Sequence, residues 1–144
     1  MDDRVEHSVF IKAPLDRVWD LVTEPGWWVP SDEGTPIDRT PGAVAVRASE
    51  RYGSYPVQVV RLQPKVYAAF RWASTFPGED LTHGKTTLVE FHVAVEAGAV
   101  RVTVVESGFA SLDASEDERR KGYEGNVSGW GEGMDGLRER AERG

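Results

Sequence analysis

Between Val5 and Ile11 the chain alternates, with Val5, His7, Val9 and Ile11 on one side, the pattern of a half-buried strand. Pro14 then opens a new element. Leu15, Val18, Trp19 and Val22 recur at helical spacing, and proline is favoured at the first helical position, which predicts a helix of about ten residues. Thr23-Glu24-Pro25-Gly26 stops it, because the residue before a proline avoids helical geometry and glycine tolerates the turn. Trp27-Trp28-Val29-Pro30 follows, and the polar stretch from Ser31 to Gly42 reads as a loop with room for a short second helix or strand.

Strand patterns then dominate. Ala43 to Ser49 sets Val44, Val46 and Ala48 against Ala45, Arg47 and Ser49, Gly53-Ser54 suggests a turn, and Tyr55 to Leu62 continues as a strand. Gln63-Pro64-Lys65 interrupts, Val66 to Ser74 resumes, and Phe76 to Gly84 reads as a loop. Lys85 to Glu96 and Val100 to Gly108 are the longest strands, joined by a tight turn at Ala97-Gly98-Ala99. Thr87, Val89, Phe91 and Val93 form one inward row there and Val102 with Val104 a second. Glu106 continues the second row by parity, which aims a carboxylate into an apolar interior.

The last thirty residues read as one helix. Tyr123, Val127, Trp130, Met134, Leu137 and Ala141 share a face. Ser115 with Glu118 fits a capping box, Asp113, Glu116 and Asp117 suit the positive end of the helix dipole, and Arg138, Arg140 and Arg143 suit the other end. Yet Gly122, Gly125, Gly129, Gly131, Gly133 and Gly136 lie in the same segment. At about 0.8–1 kcal/mol each against alanine they cost roughly 5–6 kcal/mol, so the helix needs tertiary support. A sheet curved around it would give that support, with the glycines allowing close approach or leaving a cavity. Strand, helix, loop, five strands and a long helix make a single α+β domain over 1–144.

Composition narrows the function classes. A formal net charge of −7 and the absence of a long basic run exclude a nucleic-acid binder that works by neutralising phosphates. With no cysteine there is no disulfide, thiolate nucleophile or cysteine-ligated metal. The N-terminus lacks the basic start and apolar stretch of a signal peptide, and no apolar run nears the ~20 residues needed to span a bilayer, so a cytoplasmic protein with no membrane partner is expected.

Ile11-Lys12-Ala13-Pro14 followed by Val18-Trp19 resembles the opening of the START/polyketide-cyclase-like (SRPBCC) superfamily, the helix-grip fold of the birch-pollen allergen. Further residues are similar to the branch named for the activator of the heat-shock-protein-ninety ATPase. These are Thr23-Glu24-Pro25 with Trp27-Trp28-Val29-Pro30, Gln63-Pro64 before a strand ending in Trp72, Glu106-Ser107-Gly108-Phe109, and Gly129-Trp130. The resemblance covers almost the whole chain. It implies a seven-stranded antiparallel sheet gripping the C-terminal helix around a cavity, which agrees with the element order read from the residues, and a sheet of six to seven strands is expected. The superfamily's functions range from lipid carriers to cyclases and co-chaperone domains, so fold alone does not choose among them. The eukaryotic co-chaperone also carries an N-terminal domain for which these 144 residues leave no room, which argues against contact with a chaperone ATPase.

Candidate chemistry is sparse. Glu90 and His92 share a strand face opposite the inward row of Phe91, where no further ligands converge, and His7 and His83 are isolated, so no metal site is expected. Neither Gly53-Ser54 nor Ser107-Gly108 has a nucleophile elbow or a partnered base. The helix glycines lack the lysine and preceding strand of a phosphate loop, and no cofactor is implied. Glu106 is the one weak catalytic candidate. Burial would raise its pKa and fit it for acid–base work or for orienting a ligand, whereas pairing with Arg71 or Arg101 would make it structural.

The first functional reading is a non-enzymatic module that binds a small hydrophobic or aromatic molecule between sheet and final helix. Its expected cavity is formed by Trp28 at the mouth with Phe70, Trp72, Val89, Phe91, Glu106, Tyr123, Val127, Trp130 and Met134. A second is a cyclase or hydratase acting on a polyketide-like substrate, with Glu106 or Tyr123 moving a proton. A third is a co-chaperone-like interaction domain. A homodimer through an exposed sheet edge is compatible with all three.

Overall fold

A computed structural model describes residues 3–29, 38–51, 53–73, 81 and 84–143. Strand β1 (Arg4–Ile11) leads into helix α1 (Leu15–Val22), followed by β2 (Val44–Ser49), β3 (Gly53–Gln63), β4 (Tyr67–Trp72), β5 (Thr87–Glu96) and β6 (Ala99–Ser107). A single 3₁₀ turn at Phe109–Ser111 precedes the long helix α2 (Glu116–Glu142). The strands form one antiparallel sheet in the order β1-β6-β5-β4-β3-β2, so β1 and β2 are its edges. The described residues thus carry six strands, and with α2 against the sheet they make the α+β helix grip. The loops expected at 31–37 and 76–80, and His83, lie outside the described residues.

Local chemistry sets the element ends. Pro14 is the N-cap of α1 rather than its first helical residue, and its extended backbone (ψ 143°) turns the chain into the helix. Gly26 has φ +75°, a left-handed geometry that glycine adopts without a Cβ penalty. The β5–β6 turn places Ala97 and Gly98 at φ 52° and 79°, both positive as a two-residue hairpin of matching twist requires. The turn expected at Gly53-Ser54 lies earlier, at residues 50–51, and Gly53 begins β3. Here glycine serves a positive φ of 91° at the strand's first residue.

Inward parity is as the strand pattern requires. Thr87, Val89, Phe91 and Val93 of β5 and Val102, Val104 and Glu106 of β6 are all buried. Register aligns Val5, Glu106, Val89 and Phe70 across four neighbouring strands. Strand β2 inverts the usual rule: Ala45, Arg47 and Ser49 are buried, while Val44 and Val46 are half-exposed on the outer face. The reason is Arg47, whose guanidinium is needed beneath the turn after α1.

Helix α2 has the expected capping box, with Ser115 Oγ accepting from Glu118 N and Glu118 Oε1 accepting from Ser115 N. At its far end Arg17 of α1 donates to the carbonyls of Arg140 and Ala141, satisfying acceptors that the helix leaves unpaired. The buried stripe is Trp130, Met134, Leu137 and Ala141.

The glycines do not serve close approach where their surroundings are described. A Cβ at Gly125, Gly129, Gly131 or Gly136 would meet nothing within 4 Å, and at Gly133 only Trp130 Cε3 at 3.9 Å. The close-approach expectation is therefore corrected: the sheet does not touch these positions. Gly125→Ala and Gly131→Ala are each expected to stabilise the fold by about 0.5–1 kcal/mol, read as an increased urea midpoint at unchanged m.

Candidate functional site

Glu106 is the centre of the interior. It is 0% exposed and accepts four hydrogen bonds from uncharged donors on three elements. Trp72 Nε1 of β4 and Thr87 Oγ1 of β5 reach Oε2 at 2.8 and 2.5 Å. Trp130 Nε1 and Asn126 Nδ2 of α2 each reach Oε1 at 2.8 Å. One carboxyl group thereby ties the helix to two strands. Neither Arg71 nor Arg101 is its partner, contrary to one expectation. Both are exposed, and Arg101 instead pairs with Glu96 and lies over the Phe10 ring.

Two effects act on the Glu106 proton. Burial pushes the pKa up and is the larger, while the bonds from Thr87, Trp130, Trp72 and Asn126 pull it down. The net direction is upward from the ordinary 4.5. The folded protein therefore binds this proton more tightly than the unfolded chain. As pH rises from 4.5 through the raised folded value, this group's contribution to stability falls, and above that value it is level. The difference between wild-type and Glu106→Gln stability, measured by urea unfolding across pH, is expected to shrink over that window and then become constant.

The four bonds also occupy the roughly four lone-pair directions that a carboxylate offers. Glu106 is thus a pin between layers, and a ligand could bind it directly only by displacing a donor.

Around this pin lies an aromatic interior. The Trp28 ring sits 5.3 Å from Phe70, 5.6 Å from Phe91, 5.7 Å from Trp130 and 5.8 Å from Trp72, centroid to centroid. Trp27 stands beside it, 5.5 Å from Phe91 and at 88° to Trp28. The Nε1 atoms of both Trp27 and Trp28 are buried with no hydrogen-bond partner among the described residues. Such orphaned donors are costly, on the order of 1–3 kcal/mol each. Beside Trp28 remains a cavity of about 70 Å³ lined by Trp28, Trp72, Asn126, Gly129 and Trp130.

The expected cavity residues divide into groups. Trp28, Trp72 and Trp130 line the cavity, with Glu106 directly behind them. Phe70, Val89, Phe91 and Met134 are fully buried in the surrounding core, Phe70 and Phe91 against the Trp28 ring. Tyr123 lies toward β1, edge-on to Phe109 and donating to the Arg4 carbonyl. Val127 does not face the interior. It is 46% exposed beside Asp3, Arg4, Val5 and Glu6, in a wider groove open to solvent along the β1 edge.

Val127 is turned outward because Asn126 takes the inward slot one turn before Trp130. An apolar template passes over asparagine. The signal available was indirect: a carboxylate placed inside by parity must find donors, and Asn126 lies four residues before an inward Trp130.

Arg47 is a second polar residue that the hydrophobic pattern does not single out. Its Nε donates to the Pro25 carbonyl at 2.9 Å and its second guanidinium nitrogen lies 3.3 Å from Glu24 Oε1. Glu24 also faces Arg140 of α2 at 3.6 Å. These contacts fix the turn carrying Trp27 and Trp28.

On the outer face His92 is exposed and Glu90 accepts from Tyr67 Oη, whose pKa is pushed up to about 12 by burial and by Glu90. Among the described residues no three His, Asp or Glu side chains converge as metal ligands, and no helix is long and apolar enough to cross a membrane.

No protein-family model and no curated protein sequence matches the chain. Solved structures do. Protein MLL2253 from Mesorhizobium loti is similar over 97% of both chains, with a TM-score of 0.73 at 17% identity. The Aha1 dimer from Colwellia psychrerythraea is similar over 96% of both, with a TM-score of 0.70 at 13% identity. DynU16, a protein of the dynemicin biosynthetic locus, has a TM-score of 0.65 at 22% identity over 99% of this chain, which spans 49% of DynU16. At such identities the likeness is one of fold, the α+β helix grip described above.

Proposed function

We propose that this protein binds a small apolar or aromatic molecule between the sheet and α2, in the slot that the Trp28 indole fills in the closed form. The observation that carries the reading is Trp28 itself. It lies outside regular secondary structure, inserted among four aromatic rings, with an indole N–H that has no partner among the described residues and a cavity at its side.

The 70 Å³ cavity is far below the roughly 300–1,000 Å³ of small-molecule sites, so binding requires the turn at residues 24–29 to swing Trp28 aside. A planar aromatic ligand would replace the ring contacts that Trp28 gives up. An acceptor on that ligand could also meet an indole N–H that now has none. The saturated lone pairs of Glu106 favour a binding module over an enzyme that moves protons at this carboxylate.

Chemical rescue tests the slot. Trp28→Ala is expected to gain an indole-sized cavity, and free indole should raise its Tm in a saturable way, by more than it raises that of the wild type. A wild-type screen against apolar and aromatic compounds should also yield saturable Tm increases. No shift in either protein would contradict the proposal.

A further inference from the structure

The buried carboxylate lacks a counter-charge. All four groups bonded to Glu106 are neutral, and none of the influences on its proton comes from a charged neighbour among the described residues. Three of the five cavity-lining residues, Trp72, Asn126 and Trp130, are themselves donors to that carboxyl group. The cavity is therefore one side chain away from Glu106.

Its walls suit a cation. The Trp28 ring stands at 85° to Trp72 and at 46° to Trp130, so neither indole stacks flat on it, and all three border the cavity. Indole faces attract cations within about 6 Å of the ring centroid, and tryptophan does so best. Donation of the Trp72 and Trp130 N–H groups to a carboxylate pushes electron density onto those rings, which strengthens the attraction. The free volume equals that of about two waters, enough to start a small alkylammonium head, and a head of three methyl groups is seated once Trp28 swings aside.

We propose that this cavity receives a small alkylammonium group of the ligand, its charge held by the Trp72 and Trp130 indoles and balanced by Glu106 behind them. This rests on the reading that the interior is a ligand site, and adds that the ligand carries a positive head.

The test uses choline and its neutral carbon isostere, alike in shape and different by one charge. Each is titrated into the intact protein at constant ionic strength, with the indole N–H resonances as the readout. Choline is expected to shift the signals of Trp28, Trp72 and Trp130 saturably, with a Kd at least about tenfold below that of the isostere. Glu106→Gln, if folded, should cut that preference to under about threefold. Should the variant not fold, the pair of probes on the wild type decides alone.

Equal binding of the two probes, or binding of apolar screening compounds but not of choline, overturns the cation site and leaves the apolar reading intact. If neither probe nor any apolar compound binds, both readings fall.

Discussion

Glu106→Ala is expected to lower the stability of the fold by about 4 kcal/mol or more, the largest effect of any single substitution considered for this chain. The reason is the number of groups stranded by one truncation. Trp72, Thr87, Asn126 and Trp130 all lose their acceptor at once, and the two indole N–H groups are buried with no alternative partner in view. Each stranded buried donor costs about 1–3 kcal/mol, and the emptied volume adds to that. For a chain of this size such a loss corresponds to a Tm decrease of roughly 10–20 °C.

Glu106→Gln separates charge from shape. Its carbonyl can serve Asn126 and Trp130, and its amide can donate to Thr87 Oγ1. The amide then faces the Trp72 N–H, donor against donor, so a smaller loss of about 1–3 kcal/mol is expected. Urea unfolding of the two variants checks the order. If Glu106→Ala were as stable as wild type, the carboxyl group would not be the pin described.

Arg47→Ala carries the second large effect, about 3 kcal/mol. Removing one partner of a buried ion pair leaves the other uncompensated, which commonly costs about 3–5 kcal/mol. Here the value is discounted because Glu24 keeps 20% of its side-chain exposure and retains Arg140. The Pro25 carbonyl also loses its donor. Gly26 shows how closely this arginine is fitted, since a Cβ there would lie 2.7 Å from Arg47 Cγ.

The distinctive consequence is at the tryptophans. With the turn released, Trp27 and Trp28 should become more accessible, giving red-shifted emission and faster acrylamide quenching while far-ultraviolet circular dichroism stays constant. Arg47→Met restores bulk but not the two polar contacts, and should behave like alanine in emission. Unchanged emission in both variants would mean that Arg47 does not hold the turn.

Much of this architecture was legible in residue order. Period-two alternation located the hairpin of β5 and β6 and sent Glu106 inward, and Ser115 with Glu118 marked the start of α2. These features depend on near neighbours in the chain. The parts that escaped depend on contacts across it. Asn126 faces inward because Glu106, 20 residues away, needs a donor there. Arg47 is buried because Pro25 and Glu24, 22 and 23 residues earlier, require it. Both are polar residues in slots that an apolar template assigns to hydrophobic ones. Val127 illustrates the opposite error, an apolar residue drawn to the stripe by spacing and turned outward by 100° once Asn126 is placed.

The helix glycines leave two roles open in the sequence, close approach by the sheet or a cavity beside it, and space is open around four of them. Only Gly129 borders the cavity, where the lack of a side chain leaves the space beside Trp28 unfilled.

If Trp28 occupies a slot that a ligand takes over, the indole N–H region of a proton–nitrogen correlation spectrum will report it. The chain has five such signals, from Trp19, Trp27, Trp28, Trp72 and Trp130. On titration with an apolar or aromatic compound that raises Tm, the Trp28 signal is predicted to move most, in a saturable manner, with Trp72 and Trp130 following and Trp19 on α1 nearly still. Saturable binding that leaves Trp28, Trp72 and Trp130 unmoved would mean that the ligand sits elsewhere and that Trp28 does not hold its slot.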